Sequence, residues 1–172
     1  GDTRGRPFDF GRDSVHWLVF ACLADSLPAV SRILEIGTYD GQFTAILARL
    51  FPAAGITTVD LPETDPILRS TYQRDADAAY RRFVATRDAN LAAPNIRFRQ
   101  FNSAFLLDHV AGPFDLVWVD GGHLYPEVAW HLAAAHHLCR DGGHVLCDDV
   151  IPAADGQRER GTPRLALVDA VR

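Results

Sequence analysis

The chain has 172 residues, of which 48% are hydrophobic, and its net charge is −5. This length suits one well-buried core and is short for two, so we expect a single domain over residues 1–172. The negative charge and the lack of any basic run argue against a nucleic-acid partner and favour a small molecule. The chain contains no lysine, which excludes lysine as a Schiff base or a general base.

No apolar run approaches the ~20 residues needed to cross a bilayer, and the first residues lack the pattern of a secretion signal. The three cysteines, Cys22, Cys139 and Cys147, are odd in number and form no C-x-x-C pair. This favours reduced structural thiols over disulfides or a zinc site. We therefore expect a soluble, cytoplasmic protein with no membrane partner.

Hydrophobic periodicity predicts helices and strands in alternation along the chain. Asp13 or Ser14 can cap the first helix. The predicted strands cover residues 32–36, 55–60, 95–101, 114–119 and 144–147. The later predicted helices cover residues 41–50, 65–87, 103–110, 126–138 and 163–171, of which 65–87 is expected to be long and mostly solvated. This order is typical of an α/β fold with a doubly wound, mostly parallel sheet.

The most informative segment is ILEIGTYDG at residues 33–41, a buried strand that runs through a glycine turn into a helix. Such a turn needs residues that tolerate unusual backbone angles and let a ligand approach the main chain, as glycine does. Glu35 stands where a dinucleotide site has its first glycine, and Gly37 and Gly41 are four residues apart. The pattern resembles the first motif of class I S-adenosylmethionine-dependent methyltransferases, which have a Rossmann-like fold.

The segment FDLVWVDGGHLY at residues 114–125 is the second specific match. It resembles the fourth-strand motif of O-methyltransferases of the catechol and caffeoyl-CoA type, and more closely that of macrolide-sugar O-methyltransferases. With Asp148 and Asp149 after the fifth strand, the resemblance covers residues 32–150. One departure is that His123 stands where the catechol type has lysine.

An acidic side chain at the end of the second strand can accept both hydrogen bonds of a ribose diol, and Asp60 lies there. Capping of a turn is the alternative for Asp60. The resemblance implies that the acidic residue and the turn hold the methionine end of S-adenosylmethionine and that residues after the third strand contact adenine. The predicted cofactor-binding residues are Glu35, Gly37, Thr38, Tyr39, Gly41, Asp60, Asn102, Ser103 and Asp120, although Ser103 could equally cap a helix.

Asp120, Asp148 and Asp149 follow two strands expected to be neighbours, about 4.8 Å apart, so their carboxylates should converge. Mg²⁺ or another hard divalent cation prefers such oxygen ligands, which makes these three the predicted metal ligands. The alternative is that one carboxylate caps the loop and the others are solvated. His123 and Asp120 are the predicted catalytic residues, with His123 as the base. The other histidines are given no chemical role.

Methyltransferases of class I normally finish with a sixth parallel strand and a seventh, antiparallel one, and neither is predicted here. Residues 1–31 form a helical region, residues 32–150 the cofactor-binding core, and residues 151–172 a partial carboxyl-terminal segment. The fifth strand would then be an open edge. Three explanations are open: a truncated chain, a second copy that covers the edge in a homo-oligomer, or a resemblance that stops short.

Together these features predict an S-adenosylmethionine-dependent methyltransferase that methylates a small-molecule hydroxyl with the assistance of a divalent metal. Two alternatives remain. A dinucleotide-dependent oxidoreductase could use the same topology, although the third glycine of its motif is missing. A non-catalytic module that keeps the fold and the cofactor site is the other alternative.

Overall fold

Six strands form one sheet in a computed structural model that describes residues 8–11, 13–27, 29–71, 74, 76–149 and 166–168. The strands are β1 (Arg32–Ile36), β2 (Gly55–Asp60), β3 (Ile96–Gln100), β4 (Phe114–Val119), β5 (Cys139–Cys147) and β6 (Ala166–Val168). Their order across the sheet is β3-β2-β1-β4-β5-β6, and only β6 runs antiparallel to its neighbour. The predicted doubly wound, mostly parallel α/β sheet is confirmed.

The helices cover both faces of the sheet and bury two apolar clusters. They are α1 (Val15–Ser26), α2 (Gln42–Leu50), α3 (Pro66–Ser70), α4 (Asp77–Asn90), α5 (Leu106–His109) and α6 (Glu127–Leu138), with a 3₁₀ turn at Ser103–Phe105. One cluster joins the sheet to α5 and α6, and the other joins it to α1 and α2. Within the described ranges, none of these helices is long and apolar enough to cross a membrane.

The prediction of a single long helix over residues 65–87 is wrong, because two helices, α3 and α4, lie in this region. Asp65 caps α3 by accepting a hydrogen bond from the Ile67 backbone N–H (2.8 Å), and α3 ends where Thr71 becomes extended. The expected solvated face of α4 is also wrong at Arg87, whose side chain is 3% exposed and pairs with Glu63 at 2.5 Å. The spacing of apolar residues did not reveal that a charged side chain is buried there.

Two expectations for the carboxyl-terminal half also change. Strand β5 begins at Cys139 rather than at residue 144, because Gly142, with φ +69°, is tolerated inside the strand where its pairing with β4 shifts register. The helix expected over residues 163–171 is wrong over Ala166–Val168, which pair with Val145–Cys147 of β5. The rest of that predicted helix lies outside the described residues. The fifth strand is therefore not an open edge at those positions.

We predict that Gly37→Ala lowers the free energy of unfolding by about 2 kcal/mol or more, because φ is +103° and a Cβ there would lie 2.1 Å from the carbonyl oxygen of Asp120. Gly55→Ala is the matched control, since the nearest heavy atom to its Cβ would be 4.0 Å away. Urea denaturation of both variants measures the difference. Equal stability of the two variants would contradict the prediction.

Candidate functional site

The turn between β1 and α2 is held in an unusual shape by a carboxylate from β2. Gly37 has φ +103° and Tyr39 has φ +51°, and Gly41, at φ +72°, begins α2. The carboxylate of Asp60 accepts hydrogen bonds from the backbone N–H groups of Thr38 (3.2 Å) and Tyr39 (2.7 Å). Asp60 therefore fixes the backbone of the turn at the carboxyl ends of β1 and β2.

Glu35 supports this turn from beneath. Its carboxylate accepts hydrogen bonds from the hydroxyls of Thr44 (2.5 Å) and Thr58 (2.6 Å), and the hydroxyls of Thr58 and Thr38 are 2.6 Å apart. Because the Thr58 hydrogen is given to Glu35, the Thr38 hydroxyl donates to Thr58. Glu35 is 1% exposed, and burial raises its pKa to about 7. Its predicted contact with a cofactor stays a prediction.

A cavity of about 260 Å³ opens above this turn, at the carboxyl ends of β1 to β4. Its apolar lining residues are Ile36, Val59, Leu61, Ile67, Leu68 and Phe101. Its polar lining side chains are Asp60, Thr71, Arg74, Ser103, Asp120, His123 and Glu127, and the turn contributes Gly37 and Tyr39. Five of the predicted cofactor-binding residues thus line one cavity; the others, Glu35, Thr38, Gly41 and Asn102, lie outside its lining.

Asp60 has the turn-capping role that was considered for it, and its contact with a ribose stays a prediction. One carboxylate oxygen accepts the N–H groups of the turn, and the other accepts the Leu61 backbone N–H at 2.8 Å. Burial raises the pKa of Asp60, and these hydrogen bonds oppose that shift. Each carboxylate oxygen has two lone pairs, so Asp60 retains acceptor capacity where it lines the cavity. It is a turn cap that also lines the cavity.

At the end of β3, Asn102 rather than Ser103 acts as the helix cap. The Asn102 side-chain oxygen accepts a hydrogen bond from the Ala104 N–H at 2.9 Å. Ser103 lines the cavity. Its hydroxyl lies 2.7 Å from Nε2 of His131, and its carbonyl oxygen accepts a hydrogen bond from the Trp130 indole at 2.9 Å. Ser103 is therefore free of the capping role and held by α6.

The three aspartates at the ends of β4 and β5 are near enough to repel one another. Burial, together with the carboxylates of Asp148, Glu35 and Asp149, raises the pKa of Asp120 to about 8. Burial also raises the pKa of the neighbouring Cys147 thiol to about 11, again with a contribution from these aspartates. Asp148 and Asp149 therefore lie close enough to Asp120 to raise its pKa, as expected for acidic side chains that converge.

Two of these aspartates face histidines. Oδ2 of Asp148 lies 3.3 Å from Nδ1 of His16, at the start of α1, and Oδ2 of Asp149 lies 3.2 Å from Nδ1 of His123. Burial would raise the pKa of Asp148, but hydrogen bonds from His16 and from the Asp149 N–H lower it. Within the described residues, no three His, Cys, Asp or Glu side chains are grouped so that they could hold a metal ion.

Sequence reasoning missed three residues of this site. His16 reaches Asp148 although some 130 positions separate them in the chain, and no local pattern indicates that contact. Arg74 is 6% exposed and lines the cavity, with its guanidinium carbon 4.0 Å from the centre of the Phe83 ring. His131 was given no role, yet it is 1% exposed and bonded to Ser103.

Residues 34–150 match the profile of a protein family described as Methyltransferase domain. No protein of curated function matches the chain at a significant level of sequence similarity. Among solved structures, TomG from Streptomyces achromogenes, an O-methyltransferase of tomaymycin synthesis in complex with SAM, is 23% identical, with a TM-score of 0.55 over 78% of this chain and 55% of that chain.

Two further structures are similar. A proposed caffeoyl-CoA O-methyltransferase from Staphylococcus aureus is 18% identical, with a TM-score of 0.57 over 83% of this chain and 59% of that chain. Cofactor-bound Rv0187 from MTB is 24% identical, with a TM-score of 0.56 over 80% of this chain and 56% of that chain. At these identities the three structures establish the fold, and this chain spans less than two thirds of the length of each.

We predict that Asp120→Asn becomes more stable relative to the unchanged chain as the pH rises from about 4 to about 8. The quantity compared is the difference between their free energies of unfolding. In that window the folded chain keeps a proton on Asp120, whose pKa is about 8, whereas the unfolded chain has released it. Folding stability therefore falls as the pH rises, and asparagine removes this loss. Asp108→Asn, at an exposed position, is the control in urea titrations without divalent cations. A difference that does not change with pH would contradict the prediction.

Proposed function

The chain belongs to the methyltransferase-domain family, and from this premise we propose that it transfers a methyl group from S-adenosylmethionine to a hydroxyl of a small molecule. The observation that supports this most strongly is the turn held by Asp60, which borders a cavity where the strand order reverses between β1 and β4. Open α/β sheets bind ligands at such a point. The net charge of −5 favours a small acceptor over nucleic acid.

The lining of the cavity suits the parts of this cofactor. Asp60 offers its remaining acceptor site, on Oδ1, to a ribose hydroxyl, and Phe101 and Leu61 offer apolar surface for a purine ring. Gly37 lets the Asp120 backbone lie close to the end of β1, because a Cβ at Gly37 would lie 2.1 Å from the Asp120 carbonyl oxygen. We therefore assign the ribose to Asp60, the base to the β3 side and the methionine end to the β1 and β4 side.

When bound, S-adenosylmethionine supplies the methyl group that replaces the proton of the acceptor hydroxyl. His123 lines the cavity and is the group we assign to receive that proton. The Asp149 carboxylate at 3.2 Å favours a proton on Nδ1 of His123, so Nε2 keeps a lone pair for the hydroxyl proton. A pKa of about 8 leaves Asp120 mainly protonated at pH 7, so its carboxyl group can donate a hydrogen bond within the cavity.

The predicted divalent cation has suitable donor atoms here but not a suitable arrangement. Carboxylate oxygens are the ligands that Mg²⁺ prefers. However, Asp148 and Asp149 each face an imidazole, and the described part of the chain contains no group of three metal-ligating side chains. We therefore derive no step through a cation, and a requirement for Mg²⁺ stays a prediction from the sequence.

The acceptor is proposed to approach past the loop that follows His123. Leu124 is 79% exposed and Tyr125 is 84% exposed. These two side chains provide apolar surface beside the proposed base, which suits a partly apolar compound with a hydroxyl group. The His123 side chain is about 41% exposed, so a small molecule can reach it directly from solvent.

We predict that Asp60→Ala weakens binding of S-adenosylhomocysteine by about 1.5–3 kcal/mol, the usual value of hydrogen bonds to a charged group. Isothermal titration calorimetry measures this, with Asp25→Ala, exposed on α1, as the matched control. Unchanged affinity in a folded Asp60→Ala variant would remove Asp60 from the site. If the unchanged chain binds NADH and not S-adenosylhomocysteine, the oxidoreductase alternative replaces the proposal.

We predict that His123→Gln lowers kcat by about 10²–10⁴-fold, because the proposed base is lost, and leaves the affinity for S-adenosylhomocysteine nearly unchanged. His136→Gln, exposed on α6, is the control. Turnover is measured as release of S-adenosylhomocysteine with a panel of phenols and sugars, in Mg²⁺ and in chelator. A normal kcat in His123→Gln would refute the base. Loss of all activity in chelator would instead restore the metal-dependent mechanism.

A further inference from the structure

A buried histidine on α6 holds the one serine hydroxyl in the lining of the cavity. His131 is 1% exposed, and its Nε2 lies 2.7 Å from the Ser103 hydroxyl oxygen. The neighbouring Trp130 donates a hydrogen bond to the Ser103 carbonyl oxygen at 2.9 Å. Gly121 makes room for the imidazole, because a Cβ there would lie 2.9 Å from Cε1 of His131. Ser103 is thus fixed by its side chain and by its backbone.

The surroundings of His131 decide which ring nitrogen carries the proton. Burial lowers the pKa of His131, so the ring is neutral with one N–H group. A carboxylate oxygen of Glu127 lies 3.9 Å from Nε2, which favours an N–H group over a lone pair there. Nδ1 is buried and has no hydrogen-bond partner among the described residues, and a buried N–H group without a partner is rarer than an unpaired acceptor. The proton therefore belongs on Nε2.

This tautomer determines what the serine can do. His131 donates to the Ser103 oxygen, so the Ser103 hydrogen is not used in that contact. In the part of the chain that the structure describes, the His131 ring is the hydroxyl's hydrogen-bond partner. Since Ser103 lines the cavity, its hydrogen is available to an acceptor atom of a ligand bound there.

We propose that His131 is a positioning residue that holds the Ser103 hydroxyl as a hydrogen-bond donor to a ring nitrogen of the adenine base. The inference rests on the proposed function, because it requires S-adenosylmethionine in this cavity. It adds a means by which the chain recognises the base: a hydroxyl whose direction is set from the core by a neutral histidine. Without the imidazole, the hydroxyl can rotate, and its donor direction is lost.

The test measures the affinity for S-adenosylhomocysteine and for its 1-deaza, 3-deaza and 7-deaza analogues, each of which lacks one ring nitrogen. For the unchanged chain, we expect one analogue to bind about 3- to 10-fold more weakly than the parent, the usual effect of one neutral hydrogen bond. Ser103→Ala and His131→Phe should each abolish that ratio. His131→Gln should retain it, because its side-chain amide can donate from nearly the position of Nε2.

A double variant tests whether Ser103 and His131 act through the same interaction, and a variant of an exposed histidine is the control. Ser103→Ala combined with His131→Phe should bind S-adenosylhomocysteine no more weakly than Ser103→Ala alone, because both changes remove one interaction. His136→Phe, exposed on the same helix, should keep the ratio of the unchanged chain. Melting temperatures establish that each variant is folded. If His131→Phe does not fold, the comparison of Ser103→Ala with His131→Gln decides.

The outcomes separate this inference from the proposed function. If S-adenosylhomocysteine binds but no deaza analogue is discriminated, or if His131→Phe keeps the discrimination, the inference is overturned and the proposed function stands. Loss of the ratio in His131→Gln as well would make His131 a packing residue only and would also overturn it. If S-adenosylhomocysteine does not bind to the unchanged chain, both proposals fail.

Discussion

The hydrogen bonds from the Thr38 and Tyr39 backbone to the Asp60 carboxylate connect the ends of β1 and β2, and the rest of the candidate site depends on them. They hold a turn in which Gly37 and Tyr39 have positive φ angles. A glycine turn without such an anchor would sample other conformations. The buried hydrogen-bond chain from Thr38 through Thr58 to Glu35 fixes the same turn from the core side. The turn that borders the cavity is therefore held by contacts within the chain itself.

Carboxylates at the two ends of the sheet have opposite electrostatic environments. At the amino end of β4, burial would raise the pKa of Asp115, but hydrogen bonds from Arg140, Ser31 and Arg32 lower it well below its usual value. At the carboxyl end, burial and neighbouring carboxylates raise the pKa of Asp120 to about 8. The first arrangement stabilises the ionised form of Asp115, whereas the second keeps a proton on Asp120 at pH 7. Perturbed carboxylates in a cleft are typical of functional sites.

The local patterns of the sequence were sufficient for β1 to β4, the glycine turn and the acidic strand ends. Each of these depends on neighbours in the chain: β-branched runs such as the one in β2, or Gly37 after a buried strand. The failures had long-range causes. Strand β6 exists because it pairs with β5, and Arg87 is buried because Glu63 meets it. Neither contact leaves a local signal.

The same distinction applies to the site. The order of the strands placed Asp60 and Asp120 at one edge, which sequence reasoning could anticipate from parallel topology. The pairing of His16 with Asp148 and of His131 with Ser103 depends on how α1 and α6 pack against the sheet. Local patterns predict that these two segments are helices, but they do not give the rotation of each helix about its own axis.

The central claim is that the cavity beside the turn held by Asp60 binds S-adenosylmethionine. A crystal structure of the chain with S-adenosylhomocysteine tests it most directly. We expect a ribose hydroxyl on the Asp60 carboxylate, the base towards Ser103 and Phe101, and the homocysteine end over Gly37 towards Asp120. A nucleoside bound elsewhere, or one whose ribose does not contact Asp60, would contradict the account.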